Sequence, residues 1–176
     1  TDIPFELLGY APGSVAVASI FAPVDAEQSA RACAVFEETF DFHGLKVVGY
    51  RDVPVCEEVL GAEARANKPR LLQAFIERPS HVHTDDSFNA LLYQARQHTR
   101  TKEKQAGIHK EFFFTSLSSN TIIYKALTTG VDLARFYSDL RDPCFRTRFT
   151  VFHRRFSTNT RTSWDKAQPL RVVAHN

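Results

Sequence analysis

The residues best able to do chemistry are crowded into HRRFSTNTRTSWDKAQPLRVVAHN, residues 153–176. Arg155 closes a strand-like apolar stretch and is followed by Phe156, Ser157, Thr158 and Asn159. A guanidinium there can grip a carboxylate through two charge-assisted hydrogen bonds, with the Thr158 hydroxyl and nearby backbone groups setting its orientation. An arginine after a strand also often reaches solvent or pairs with an acid, and spacing alone favours that plainer role. At the far end His175 and Asn176 follow the short apolar run Leu170, Val172, Val173 and Ala174. The Asn176 amide can donate two hydrogens toward negative charge developing on a tetrahedral oxygen, provided a nucleophile and a second donor meet it. Without further information an exposed chain end is the simpler reading of His-Asn, with His175 organising the loop or facing solvent.

Other chemically capable residues form weaker patterns. Cys33, Cys56 and Cys144 show neither CxxC spacing nor a disulfide framework. Cys33 lies among Ala32, Val35 and Phe36 and reads as a thiol packed like a small hydrophobe, while Cys56 and Cys144 fall in loops beside Pro54 and Pro143. His81 and His83 stand near Asp85 and Asp86, but no HExxH, cysteine pair or third ligand accompanies them, so a metal centre is not expected. His43 is placed at a helix end; His98 and His109 read as solvent-facing or capping.

These groups need a scaffold, and hydrophobic periodicity supplies a mixed one. VAVASIF, residues 15–21, reads as a strand; Asp25 then caps a helix carrying Cys33, Phe36 and Phe40 on one face, with Gly44 at its end. LKVVGY, residues 45–50, returns as a strand, PVCEEVLG as a turn or short helix, and LLQAFIE, residues 71–77, as another strand ended by Pro79. Thr84 or Asp85 caps a second helix with Phe88, Leu91, Leu92 and Ala95 at i, i+3, i+4 and i+7, limited by Gly107. Residues 112–118 and 121–127 are expected to pair as an antiparallel hairpin about Ser118 to Asn120. VDLARFYSDL reads as a short helix capped by Thr129 or a neighbour, and alternation resumes at Phe149, Val151 and His153. Helices layered on a sheet follow, with a purely parallel sheet disfavoured.

Composition narrows the possibilities. The chain has 176 residues, 43% hydrophobic, with 15 Phe and a net charge of +2, which suits one packed domain and gives no electrostatic footprint for nucleic acid. No run is long and apolar enough for a membrane span, and the first residues lack the regions of a signal peptide. A soluble cytoplasmic protein is the default expectation, or a plastid one if the chain comes from a plant. Neither GxGxxG nor GxxxxGK[ST] is present to suggest a dinucleotide or P-loop site.

Several segments, in order, carry a family likeness: GYRDVPV at 49–55, FFFTSLSSNTIIYKALTT at 112–129, FYSDLRDP at 136–143, RFSTNT at 155–160, SW at 163–164, AQP at 167–169, Arg171 and AHN at 174–176. Together they resemble the amidotransferase domain of glutamate synthases, within the N-terminal nucleophile hydrolase superfamily. The resemblance implies an α+β fold, a four-layer αββα sandwich incomplete here, with residues 1–176 forming part of the amidotransferase domain. It implies hydrolysis of L-glutamine to glutamate and ammonia. Arg155 then corresponds to the arginine that holds the substrate carboxylate, Phe156 and Thr158 to residues around that pocket, and His175 and Asn176 to the start of the oxyanion motif. The same resemblance implies a synthase domain in the same parent protein, where ammonia meets 2-oxoglutarate, FMN and an iron-sulfur cluster, and an electron-donating subunit or ferredoxin as partner.

The chain also departs from the pattern. The family uses an N-terminal cysteine whose free amine assists its thiol, yet Thr1 stands first, and TDIPFELLGYAPGSVAVASIFAP resembles an internal stretch downstream of that cysteine. AHN stops before the glycine that would give the second oxyanion donor. The expectation is therefore a piece of the domain, inactive by itself. Two other readings remain: a Thr1-nucleophile hydrolase, whose terminal amine acts as base, and a non-catalytic amidotransferase-like structural module.

Overall fold

Two amphipathic helices and four short strands form the framework of the described chain. The computed structural model describes residues 9–11, 13–108, 112–154 and 162–167. These divide into two units, Thr1–Asp52 with Pro69–Ile123, and Val53–Lys68 with Tyr124–Asn176.

The first unit holds an open antiparallel sheet in the order β2-β3-β1-β4, formed by β1 (Val15–Ala22), β2 (Lys46–Asp52), β3 (Arg70–Glu77) and β4 (Phe113–Ser118). Register sets which side chains share a face. Ala16, Ala18 and Ile20 of β1 stand opposite Ile76, Ala74 and Leu72 of β3, and these line the core with the helices. The alternate residues Phe21, Leu71 and Phe75 occupy the other face with Ser19, Gln73, Ser116 and Ser118, and all are buried too. There Arg51 Nε donates to Gln73 Oε1 at 2.7 Å. A strand period of two therefore writes an apolar face for the helices and a mixed polar face opposite it.

Helix α1 (Ala26–Phe42) starts where the Asp25 carboxylate accepts from the Gln28 N–H at 2.9 Å. It stops at Gly44, whose φ of 69° is the left-handed conformation that a side chain disfavours, and Leu45 N–H closes back on Phe40 O at 2.9 Å. Helix α3 (Asp85–Gln105) uses the same devices: Thr84 Oγ1 accepts from Ser87 N–H, and Ile108 N–H reaches Glu103 O. The short helix α2 (Ala62–Ala66) belongs to the other unit.

The core is aromatic. Phe36 has no exposed surface, and its ring centroid lies 4.3 Å from Phe40 and 5.4 Å from Phe114. Burying each phenylalanine contributes about 1.5–3 kcal/mol. Between α1 and α3 the buried hydroxyls of Thr39 and Thr99 meet at 2.6 Å, so two polar groups satisfy each other inside an apolar seam.

The expected hairpin does not form. β4 pairs with β1, and residues 121–127 are not a strand. Asn89 on α3 is the physical reason: its Oδ1 accepts from Ser119 N–H at 3.0 Å and its Nδ2 donates to Ser119 Oγ at 2.8 Å, which fixes the chain as it leaves β4. Ile123 N–H then donates to the Ser116 hydroxyl instead of a strand partner. Residues 149–154 are likewise no strand, and Phe149, Val151 and Phe152 are exposed despite their alternation. In the second unit the expected short helix is α4 (Leu133–Phe136), followed by a tight 3-10 turn over Ser138–Arg141. Thr129 Oγ1 donates to the Asp132 carboxylate, so the hydroxyl braces the entry to α4 rather than capping its amides.

Candidate functional site

Arg155, Phe156, Thr158, His175 and Asn176 lie outside the described residues, as does the strand-like run before His175. The described chain before and after the Arg155–Thr158 segment belongs to the second unit.

Immediately before Arg155, the stem of Arg154 passes over Gly130. A Cβ at that glycine would run into the Arg154 side chain and approach Phe152 Cζ to 3.1 Å. The absence of a side chain at Gly130 is thus what lets the chain leading to Arg155 come close. Beyond Thr158, residues 163–167 make a tight turn in which Ala167 N–H donates to Ser163 O at 3.1 Å.

That turn is fixed by two long-range hydrogen bonds. Trp164, 5% exposed, donates its indole N–H to Ala64 O at 3.0 Å and sets its ring 5.9 Å from Phe136. Lys125, 7% exposed, donates from Nζ to Asp165 O at 3.0 Å. Its own carbonyl accepts from the buried Tyr137 hydroxyl at 2.7 Å, and Tyr137 stacks edge-on against Phe136 and Tyr124. Loss of water around the ammonium pulls Lys125 down to about 8, partly opposed by the Asp165 charge. Burial also pushes the Tyr137 hydroxyl up, so it remains a donor.

Lys125 and Gly130 carried no role in the sequence reading, and Trp164 figured only as a motif letter. A lone lysine inside the apolar run IIYKAL was the available signal, because a charge there must be paired or desolvated. The remaining candidates stay apart from this arrangement. Cys33 is half-buried against the core of the first unit, where burial raises its thiol; Cys144 is exposed; and Cys56 Sγ donates to Glu58 Oε2 at 3.0 Å. His81 and His83 are exposed in a loop, and among the described residues no group of three or more His, Cys, Asp or Glu side chains is placed to hold a metal ion. His43 caps the end of α1 as expected, its ring 5.4 Å from His98.

The profile of the family described as class-II glutamine amidotransferases matches residues 6–176. The ferredoxin-dependent glutamate synthase of Cyanidium caldarium is 38% identical over 166 residues, covering 92% of this chain and 10% of that protein. The chloroplastic ferredoxin-dependent glutamate synthase of Oryza sativa subsp. japonica is 36% identical over 186 residues, covering 100% of this chain and 12% of that protein. The large chain of the NADPH glutamate synthase of Azospirillum brasilense is 36% identical over 165 residues, covering 92% of this chain and 11% of that protein. The chain thus spans about a tenth of the length of these relatives.

Proposed function

Because the chain belongs to the class-II glutamine amidotransferases, we propose that it forms part of the glutaminase site of a longer glutamate synthase. The observation that carries this reading is the family match across residues 6–176, joined by three glutamate synthases at 36–38% identity. In this reading L-glutamine loses its side-chain amide as ammonia, and a synthase domain of the same polypeptide uses that ammonia on 2-oxoglutarate.

Arg155 pairs with the α-carboxylate of glutamine, because a guanidinium offers two parallel donors to two carboxylate oxygens. Phe156 and Thr158 shape the surrounding pocket, and His175 holds the loop that presents Asn176. The Asn176 amide donates to the oxygen of the side-chain carbonyl as it gains negative charge, where a pre-aimed donor lowers the barrier. The attacking thiol is assigned to an upstream cysteine of the parent, and the second oxyanion donor to a glycine after Asn176. FMN and the iron-sulfur cluster are assigned to the synthase part, together with the ferredoxin or electron-donating subunit that serves it. Ferredoxin-dependent and NADPH-dependent relatives match to similar extents, so identity does not select the electron donor.

Arg155→Ala in the full-length protein tests the assignment. Losing hydrogen bonds to a charged partner costs about 1.5–3 kcal/mol, roughly a ten- to hundred-fold fall in kcat/KM for glutamine. Ammonia-dependent glutamate formation is expected to survive. Unchanged glutamine kinetics would remove Arg155 from the site, and an equal loss of both activities would assign it to folding or domain coupling.

A further inference from the structure

Lys125 is buried without serving the apolar core, and a buried ammonium is expensive. Desolvating it costs several kcal/mol, and a hydrophobic side chain of similar length is often neutral or stabilising in its place. Stability alone therefore does not explain a lysine here. Its contacts offer another reason. Nζ donates to Asp165 O across 40 residues of sequence, while Tyr137 Oη donates to its carbonyl, so both ends of the residue are held. Asp165 lies between Thr158 and His175 in the chain, in the turn whose other tie is the Trp164 indole on Ala64 O.

We propose that Lys125 is a positioning residue for glutamine turnover: its ammonium holds the Asp165 carbonyl and so fixes the turn that joins the Arg155–Thr158 segment to His175 and Asn176. The proposal rests on the glutaminase reading above. A point charge suits the task because an ammonium donates in any of three directions and binds a carbonyl more strongly than a neutral donor does. The loss of water that lowers its pKa also strengthens that bond.

The test is Lys125→Met in the full-length protein, with kcat and KM for glutamine, the ammonia-dependent rate and thermal unfolding measured on one preparation. KM for glutamine is expected to rise roughly fivefold or more and kcat/KM to fall about tenfold or more, with the ammonia-dependent rate within about twofold of wild type. A rise in KM is diagnostic because a smaller folded fraction lowers kcat and leaves KM alone. Trp164→Phe keeps an aromatic ring but removes the indole donor and part of the side-chain volume, and it is a second variant should Lys125→Met fail to fold; it is expected to raise KM by roughly two- to threefold. A Lys125→Met protein with wild-type KM and kcat/KM overturns the proposal, as does an equal fall in both activities, or a Trp164→Phe protein with unchanged KM if the lysine variant cannot be folded. A wild-type parent that hydrolyses no glutamine overturns the glutaminase reading itself, and the positioning role with it.

Discussion

In the first unit Phe36, Phe40, Phe88, Phe112 and Phe114 fill one continuous core between sheet and helices, and polar groups such as Thr39 and Thr99 are satisfied in pairs. In the second, α2 and α4 have 5 and 4 residues, and much of the order comes from single side chains bonded to distant carbonyls. Arg65 reaches Glu57, Glu58 and Leu60 carbonyls, Trp164 reaches Ala64, and Lys125 reaches Asp165. A core of interchangeable apolar contacts tolerates repacking, whereas a backbone held by one donor moves when that donor is removed. In the sequence, the candidate glutamine residues Arg155, Phe156 and Thr158 lie between Arg154, which packs on Gly130, and the turn tied by Lys125 and Trp164.

The largest effect on stability is expected at Phe36. Phe36→Ala removes a ring packed on Phe40, Tyr50, Phe112 and Phe114 and costs about 3–5 kcal/mol, read as faster hydrogen exchange throughout α1 and β4. Protected amides there after substitution would show that the core is not the source of the first unit's order. In the second unit, Gly130→Ala puts a methyl where the stem of the exposed Arg154 side chain runs, so that side chain must move. Its signature is a raised KM for glutamine in the full-length protein, since Arg155 follows directly; an unaltered KM would break the link between that contact and the substrate.

A smaller and pH-dependent effect is expected at Glu103. This α3 carboxylate is 3% exposed, its Oε1 has no hydrogen-bond partner, and burial raises its pKa from 4.5 to about 7 against the opposing charges of Arg100 and Arg96. The folded chain holds the proton where the unfolded chain has released it, so stability falls as pH rises from about 4.5 through 7. Glu103→Gln is therefore expected to slow hydrogen exchange over Asp85–Gln105 at pH 8 and to leave it unchanged at pH 4. Equal behaviour of the two proteins at pH 8 would show that the carboxylate is not penalised by its burial.

The contrast between the units also explains what could be read from the sequence. Strands β1, β2 and β3 and helices α1 and α3 were legible because their signals are local: alternation, an i, i+3, i+4 stripe, Asp25 or Thr84 at the start, Gly44 or Gly107 at the end. The apolar run at 121–127 and the alternation at Phe149, Val151 and His153 are not strands, since a strand also needs a partner that its own sequence does not name. A purely parallel sheet was disfavoured for the wrong reason, through a hairpin, when β4 pairs antiparallel with β1 across the chain. The role of Lys125 was illegible for a similar cause: its acceptor is 40 residues away, and the Trp164 acceptor is 100 away. Arg155, Phe156, Thr158, His175 and Asn176 were found through ordered motifs, and their assignment rests on the family and not on observed geometry.

The most direct measurement is the pair of activities of Asn176→Ala in the full-length protein. Removing an oxyanion donor costs about 2.7–4 kcal/mol, so glutamine-dependent turnover should fall roughly a hundred- to thousand-fold, with KM changing far less. Ammonia-dependent glutamate formation should remain within about twofold of wild type, because it bypasses the carbonyl that Asn176 is proposed to stabilise. Normal glutamine turnover in that variant, or an equal collapse of both activities, would contradict the account.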